Sequence, residues 1–185
     1  MKHLFTFALL AGVLFSCTPT PDPAIAEAEA AAKAAAKAKA EANVALAEKF
    51  MATFEAGEMD AWKELCTEDF ITWGPGIESE SNLDEYIESM KGFHEAVDSM
   101  KFNTIAILPH TVEEGEQAGD YVFWWGSISA YFIEAGKSVE LMLHTVYSIE
   151  NGKINWTVDY WDTGDLKRQL SDQTKENEKE KGEAT

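Results

Sequence analysis

The order of apolar patterns predicts an α+β domain in which three helices precede an antiparallel sheet. Three observations carry that prediction. Apolar residues recur at helical spacing between Ala47 and Val97. Four runs rich in β-branched and aromatic residues then follow at 101–108, 119–132, 138–149 and 153–162. The last two are joined by Asn151-Gly152, the dipeptide that most favours a two-residue hairpin because both positions tolerate positive φ.

Ala47, Phe50, Met51 and Phe54 fall at i, i+3, i+4 and i+7 and predict a first amphipathic helix that stops near Gly57. Asp60 can cap a short second helix bearing Trp62, Leu65 and Cys66. Phe70–Trp73 reads as a short strand ended by Gly74-Pro75-Gly76. Asn82, with Glu85 three residues on, has the form of a capping box. It opens a third helix whose apolar stripe is Leu83, Tyr86, Ile87, Met90, His94 and Val97. Across the Asn151-Gly152 turn Glu150 pairs with Lys153, and that register carried onward sets His144 opposite Asp159. Met142 and Trp161, and Val146 and Thr157, share that face. If Ala135-Gly136 is also a two-residue turn, Trp125, Ser127 and Ser129 join it. The opposite face then holds Leu143, Tyr147, Trp156, Val158, Tyr160, Trp124 and Ile128, with hardly a charge.

The ends of the chain differ from this middle. Residues Lys2 to Cys17 carry an early Lys, an apolar run from Leu4 to Phe15 and a small residue before Cys17, which describes a secretory signal. The run is shorter than the roughly 20 residues that span a bilayer. Leu14, Ser16 and Cys17 resemble a bacterial lipoprotein lipobox, which implies a lipid on Cys17 and a place in the cell envelope. Thr18 after the cysteine is not acidic, and the outer membrane is the expected destination. Residues 18–43 combine a Pro-containing linker with an Ala-rich stretch of strong helix formers and almost no large apolar residue, a solvated helical stalk. Residues 171–185 are Glu/Lys-rich without an aliphatic or aromatic residue and read as a disordered tail.

Charge excludes some functions. The chain has a net charge of −18, and Val44–Leu170 alone carries 24 acidic against 8 basic residues. No Lys/Arg cluster exists that could neutralise phosphates, so nucleic acid is not an expected partner. With Cys17 lipidated, Cys66 stands alone and no intramolecular disulfide can form; its place on an apolar stripe marks a buried small hydrophobe. His110 has no His, Cys or acidic partner at ligand spacing, and no Gly-rich phosphate loop or nucleophile motif occurs, so neither metal nor cofactor is expected.

Particular residues add a family resemblance. Phe54 to Gly57 ahead of the Trp62/Leu65 helix, the Thr72–Gly76 turn, Gly119-Asp120-Tyr121-Val122, and the ending ENGKINWTVDYWDTGDLKRQL from Glu150 to Leu170 resemble the nuclear transport factor 2-like superfamily. The likeness is to its SnoaL-like group of polyketide cyclases and ketosteroid isomerase, and it spans about Val44 to Leu170. It implies a strongly curved antiparallel sheet with the three helices packed in its concavity and a conical pocket between. It also implies dimerisation through the sheet's outer face, expected here as a homodimer centred on Trp156. The isomerase's base aligns with Gly74 and its helix-1 tyrosine with Phe50, which disfavours that activity. The cyclases' last-strand acid matches Asp159, and a His144–Asp159 pair could serve as an acid/base unit. Trp73, His94, Trp125, Ser127, Met142, Thr157 and Trp161 are the candidate pocket residues. Three readings remain open: a lipid-anchored, non-catalytic module binding a small apolar or amphipathic molecule, a small cofactor-independent acid/base enzyme of the cyclase, isomerase or hydratase kind using His144 and Asp159, and an envelope protein-interaction module.

Overall fold

The computed structural model describes residues 22–76 and 78–171. Cys17, the expected signal segment around it and residues 172–185 lie outside the described residues. The chain divides into two compact units after Ala35. In the first, residues 22–35 begin helix α1 (Pro23–Glu55) and are exposed throughout, because alanine, glutamate and lysine favour a helix without offering a face to bury. Asp22 starts the helix, its carboxylate accepting from the Ala24 amide at 2.9 Å. α1 has no break at residue 43, so the expected stalk and the expected first amphipathic helix are one element.

In the second unit α1 buries Asn43, Ala47, Phe50, Met51 and Phe54 and ends at Gly57. There φ is +76°, Gly57 N–H donates to the Phe54 carbonyl and Glu58 N–H to that of Thr53. This is a Schellman motif, which needs a residue that accepts the left-handed conformation. A single 3₁₀ turn (Met59–Ala61) leads into the one-turn helix α2 (Trp62–Leu65). Strand β1 (Cys66–Trp73) and the short β2 (Glu80–Asn82) follow. α3 (Leu83–Ala96) is opened by the predicted capping box, with Glu85 N–H on Asn82 Oδ1 at 3.0 Å and Asn82 N–H on Glu85 Oε2 at 3.1 Å. Long strands β3 (Val97–Val112), β4 (Gly119–Phe132), β5 (Lys137–Glu150) and β6 (Lys153–Trp161) complete the sheet.

Six strands lie in the order β2-β1-β6-β5-β4-β3. The helices pack against one face of this curled sheet. The expected antiparallel pairing holds except between β1 and β6, which run parallel. A parallel pair needs no hairpin signal, so β1 finds its neighbour only through burial. The core joins α1, α2, α3 and the inner sheet face around Phe50, Phe54, Trp62, Phe70 and Trp124. Trp62 is the keystone: fully buried, its ring stacks on Phe50 at 4.2 Å and on Tyr86 at 5.2 Å. Its indole N–H donates to Thr53 Oγ1 at 2.9 Å, which satisfies the one polar atom it buries.

After β6, residues 163–171 form a last helix capped by Asp162, whose Oδ1 accepts from the amides of Gly164 and Asp165. Its Gln169 side chain bonds both backbone groups of Glu140, at 2.8 and 3.2 Å, taking a strand's place where β6 has ended. The buried Lys137 adds a bond from Nζ to the Gln169 carbonyl.

Because residues 23–35 bury nothing, their deletion leaves the thermal midpoint of the domain within about 2 °C of the intact chain. Extending the deletion through Asn43, which is buried, lowers it. Scanning calorimetry on the two truncations checks both statements.

Candidate functional site

The Asn151-Gly152 turn is as expected, both residues at positive φ and Glu150 opposite Lys153. One step later the ladder changes. Ile149 pairs with Ile154 but Ser148 with Trp156, so Asn155 is an extra residue, a β-bulge. A one-residue slip exchanges the faces of a strand. Beyond the bulge Thr145, not His144, stands opposite Asp159.

The inner face therefore collects Thr157, Asp159 and Trp161 from β6 with Leu143, Thr145 and Tyr147 from β5. Together with side chains of α1, β1, α3 and β4, with Glu80 and with Leu166 of the last helix, they line a cavity of about 490 Å³. Most of this wall is apolar. Its polar centre is the Asp159 carboxylate, which accepts from Thr145 Oγ1 at 2.6 Å and from the Tyr86 hydroxyl at 3.4 Å. Beside it the hydroxyls of Thr72 and Thr157 bond each other at 2.7 Å. Burial pushes the Asp159 carboxyl up to about 6, against the opposing pull of its bonds from Thr145 and Tyr86 and of His144 across the sheet. Burial also raises the Tyr86 phenol well above its ordinary range, with the neighbouring Asp159 charge adding to the effect. Tyr86 is thus a donor, and Asp159 is a carboxyl that can gain or lose a proton near neutral pH.

Of the residues expected in the pocket, the cavity brings together Asp159, Thr157 and Trp161. The others lie elsewhere, and the expected His144–Asp159 pair is corrected by the bulge. His144 lies on the outer face, stacked on Trp125 at 4.3 Å and on Tyr160 at 5.9 Å, with Nδ1 2.8 Å from the Trp124 carbonyl oxygen. Trp125 and Met142 are exposed on that face, and Ser127 donates to Glu140. Trp73 sets its ring edge against Trp156 and donates to Glu80. His94 packs on Gly57 and meets the Glu55 carbonyl, closing the end of α1 rather than the cavity. The β4–β5 connection is a four-residue loop, not the expected two-residue turn, since Phe132 pairs with Lys137. That change is even in number and leaves the face of Trp125 and Ser127 unaltered. The patch expected opposite His144 also divides: Leu143, Tyr147, Trp124 and Ile128 turn inward, while Trp156, Val158 and Tyr160 share the outer face with His144.

Tyr86, Thr145 and Thr72 were not among the expected site residues. Tyr86 alone left a signal, a hydroxyl on the apolar stripe of α3 that had to find a partner inside. Among the described residues, no group of three His, Cys, Asp or Glu side chains could hold a metal ion. Cys66 is buried, and desolvation pushes its thiol up to about 12.

Comparison with known proteins agrees with this architecture. The SnoaL-like domain family model matches residues 47–156. The chain belongs to that family. Its SnoaL-like domain is similar in structure to a proposed SnoaL-like polyketide cyclase of Jannaschia sp. CCS1, with a TM-score of 0.58 and 15% identity over 71% of this chain and 93% of that one. It is similar to a LEH-like epoxide hydrolase of M. tuberculosis, with a TM-score of 0.57 and 14% identity over 71% and 86% of the two chains. An NTF2-like protein of Burkholderia pseudomallei gives 0.56 and 18% over 70% and 98%. At these identities the likeness is one of fold. Among curated proteins no sequence matches.

Proposed function

We propose that the SnoaL-like domain binds a small, mostly apolar molecule in its cavity, held by one polar contact at Asp159. The observation that carries this reading is a buried carboxylate in a largely apolar, aromatic-walled space of about 490 Å³. Such a space with few convergent polar groups suits one small ligand. Native mass spectrometry of protein from its own host tests it. The wild type should retain a small molecule, and Ala130→Phe, which fills the cavity from β4, should not. A wild type that carries nothing and binds nothing from a library of apolar compounds would refute the proposal.

A second reading is favoured by the Asp159 carboxyl lying at about 6. A group that exchanges its proton near neutral pH, beside the Tyr86 hydroxyl, fits a cofactor-independent lyase or isomerase in which Asp159 moves the proton. The structural neighbours named for cyclisation and epoxide hydrolysis lend that chemistry some support. Turnover that appears as pH rises through about 6 and vanishes in Asp159→Asn would establish it.

Tethering to the envelope through a lipid on Cys17 belongs to the same proposal, and Cys17→Ser should release the protein into the soluble fraction. So does self-association through the outer sheet face. Trp125 and Tyr160 are 38% and 53% exposed there, within a stack that runs Tyr121, Phe123, Trp125, His144, Tyr160. The rings spend their faces on each other, so the surface suits interdigitation with a second copy better than a sugar platform. No carboxylate, Lys or Arg interrupts this stack of rings, which in a chain of net −18 lets two copies approach there. Tyr160→Glu is expected to convert a sedimenting dimer to monomers; a wild type that is monomeric at high micromolar concentration refutes the dimer.

A further inference from the structure

Among the described residues no Lys, Arg or His lines the cavity, although two carboxylates, Asp159 and Glu80, do. Glu80 accepts from the Trp73 indole at 3.1 Å, whereas Asp159 accepts only from two hydroxyls, one of them at 3.4 Å. An ionised carboxylate has about four lone-pair sites, so Asp159 keeps capacity for further donors. Its surroundings are aromatic: Phe50, Phe54, Tyr86, Phe93, Tyr147 and Trp161 are among the cavity walls. Ring faces attract cations most strongly where water is excluded. A carboxylate without a cationic partner, walled by rings, in a chain of net charge −18, favours a positive guest at each step from approach to seating.

We propose that the cavity's ligand is an amphipathic cation, an apolar body carrying one ammonium group that donates to Asp159. The inference rests on the binding reading above and names its ligand class. It also separates the chain from carriers of fatty acids or other carboxylates, which would meet like charge with no compensating Lys or Arg. Affinity must depend on pH, because only ionised Asp159 attracts the ammonium. The titratable groups on the cavity wall besides Asp159 are Tyr86 from α3, Tyr147 from β5 and, at its exposed side on β2, Glu80, which the Trp73 indole engages. Both phenols are held neutral by burial, and His144 lies beyond the sheet. From β1 and α1 only Thr72 and apolar side chains face the cavity. Asp159 is therefore the group whose ionisation near pH 6 governs binding.

The test compares three probes with one apolar body, 1-adamantylamine, 1-adamantanol and 1-adamantanecarboxylate, by calorimetry at pH 5 and pH 8. The amine should bind about tenfold more tightly than the alcohol at pH 8. It should weaken by about tenfold at pH 5, the fall in ionised Asp159 for a group titrating near 6, while its own ammonium persists throughout. The alcohol should show no pH dependence, and the carboxylate no binding at pH 8, where it is fully ionised. In Asp159→Asn the amine and the alcohol should become equal; if that variant does not fold, the wild-type pH profile decides. At pH 8, alcohol binding equal to or tighter than amine binding, or carboxylate binding, would overturn the cation assignment while leaving the cavity a binding site. Failure of all three probes would overturn both.

Discussion

Asp159→Asn is expected to stabilise the domain at pH 8 while leaving its stability at pH 3.5 nearly unchanged. The carboxyl is raised from 3.8 to about 6 in the folded state, chiefly by burial. Between those values the native state binds more protons than the unfolded chain, so stability falls as pH rises and the loss is complete above about pH 6. A shift of that size corresponds to at most about 3 kcal/mol. Replacing the carboxylate with a neutral amide removes that cost, less whatever the new amide N–H₂ loses by lacking an acceptor. Urea unfolding of both proteins from pH 3.5 to 8 checks the prediction. Curves that stay parallel across that range would show that Asp159 is not the buried titrating group.

Trp62→Ala should give the largest loss of stability of any single truncation, about 3–5 kcal/mol. The ring is fully buried between Phe50 and Tyr86, and its N–H bond to Thr53 leaves with it. Trp62→Phe keeps the stacking and should cost far less, which separates packing from the hydrogen bond. Because Tyr86 rests on Trp62 and reaches Asp159, the alanine variant should also loosen the hydroxyl that meets the carboxylate. Equilibrium denaturation gives the first quantity, and a shift in the pH midpoint of Asp159 ionisation, followed by NMR, gives the second.

Local signals were legible wherever a few neighbouring residues decide the structure. The Asn82/Glu85 box, the Gly57 stop and the Asn151-Gly152 hairpin each depend on chemistry within five residues, and each stands where the sequence put it. The α+β class followed from periodicity alone, and the SnoaL-like fold from the resemblance of four segments, of which the ending at Glu150–Leu170 is the strongest. The bulge at Asn155 was not legible. No glycine or proline marks it, and its cause is tertiary: Ile154 and Thr157 both face inward, which simple alternation forbids. That one residue moved His144 out of the candidate site and brought in Thr145. β2 escaped notice because three residues, Glu80–Asn82, are too few to show a period. His94 sat on the expected face of α3, yet the close approach of Gly57 turned its imidazole to a helix end.

The parallel pairing of β1 with β6 also governs the order of events in time. Thr72 and Thr157, which meet through their hydroxyls, are 85 positions apart in the chain. Closing so long a loop is entropically costly and slows folding relative to neighbouring hairpins. A nascent chain emerging N-terminus first can form its helices and the β3–β4–β5 meander, but β1 has no partner on its β6 side until residues 154–158 exist. Asp159 and the Leu166 wall arrive later still. Closure of the cavity is thus the last step of the domain's assembly during synthesis, and any fragment that stops short of β6 lacks the Asp159 carboxylate and the Trp161 wall.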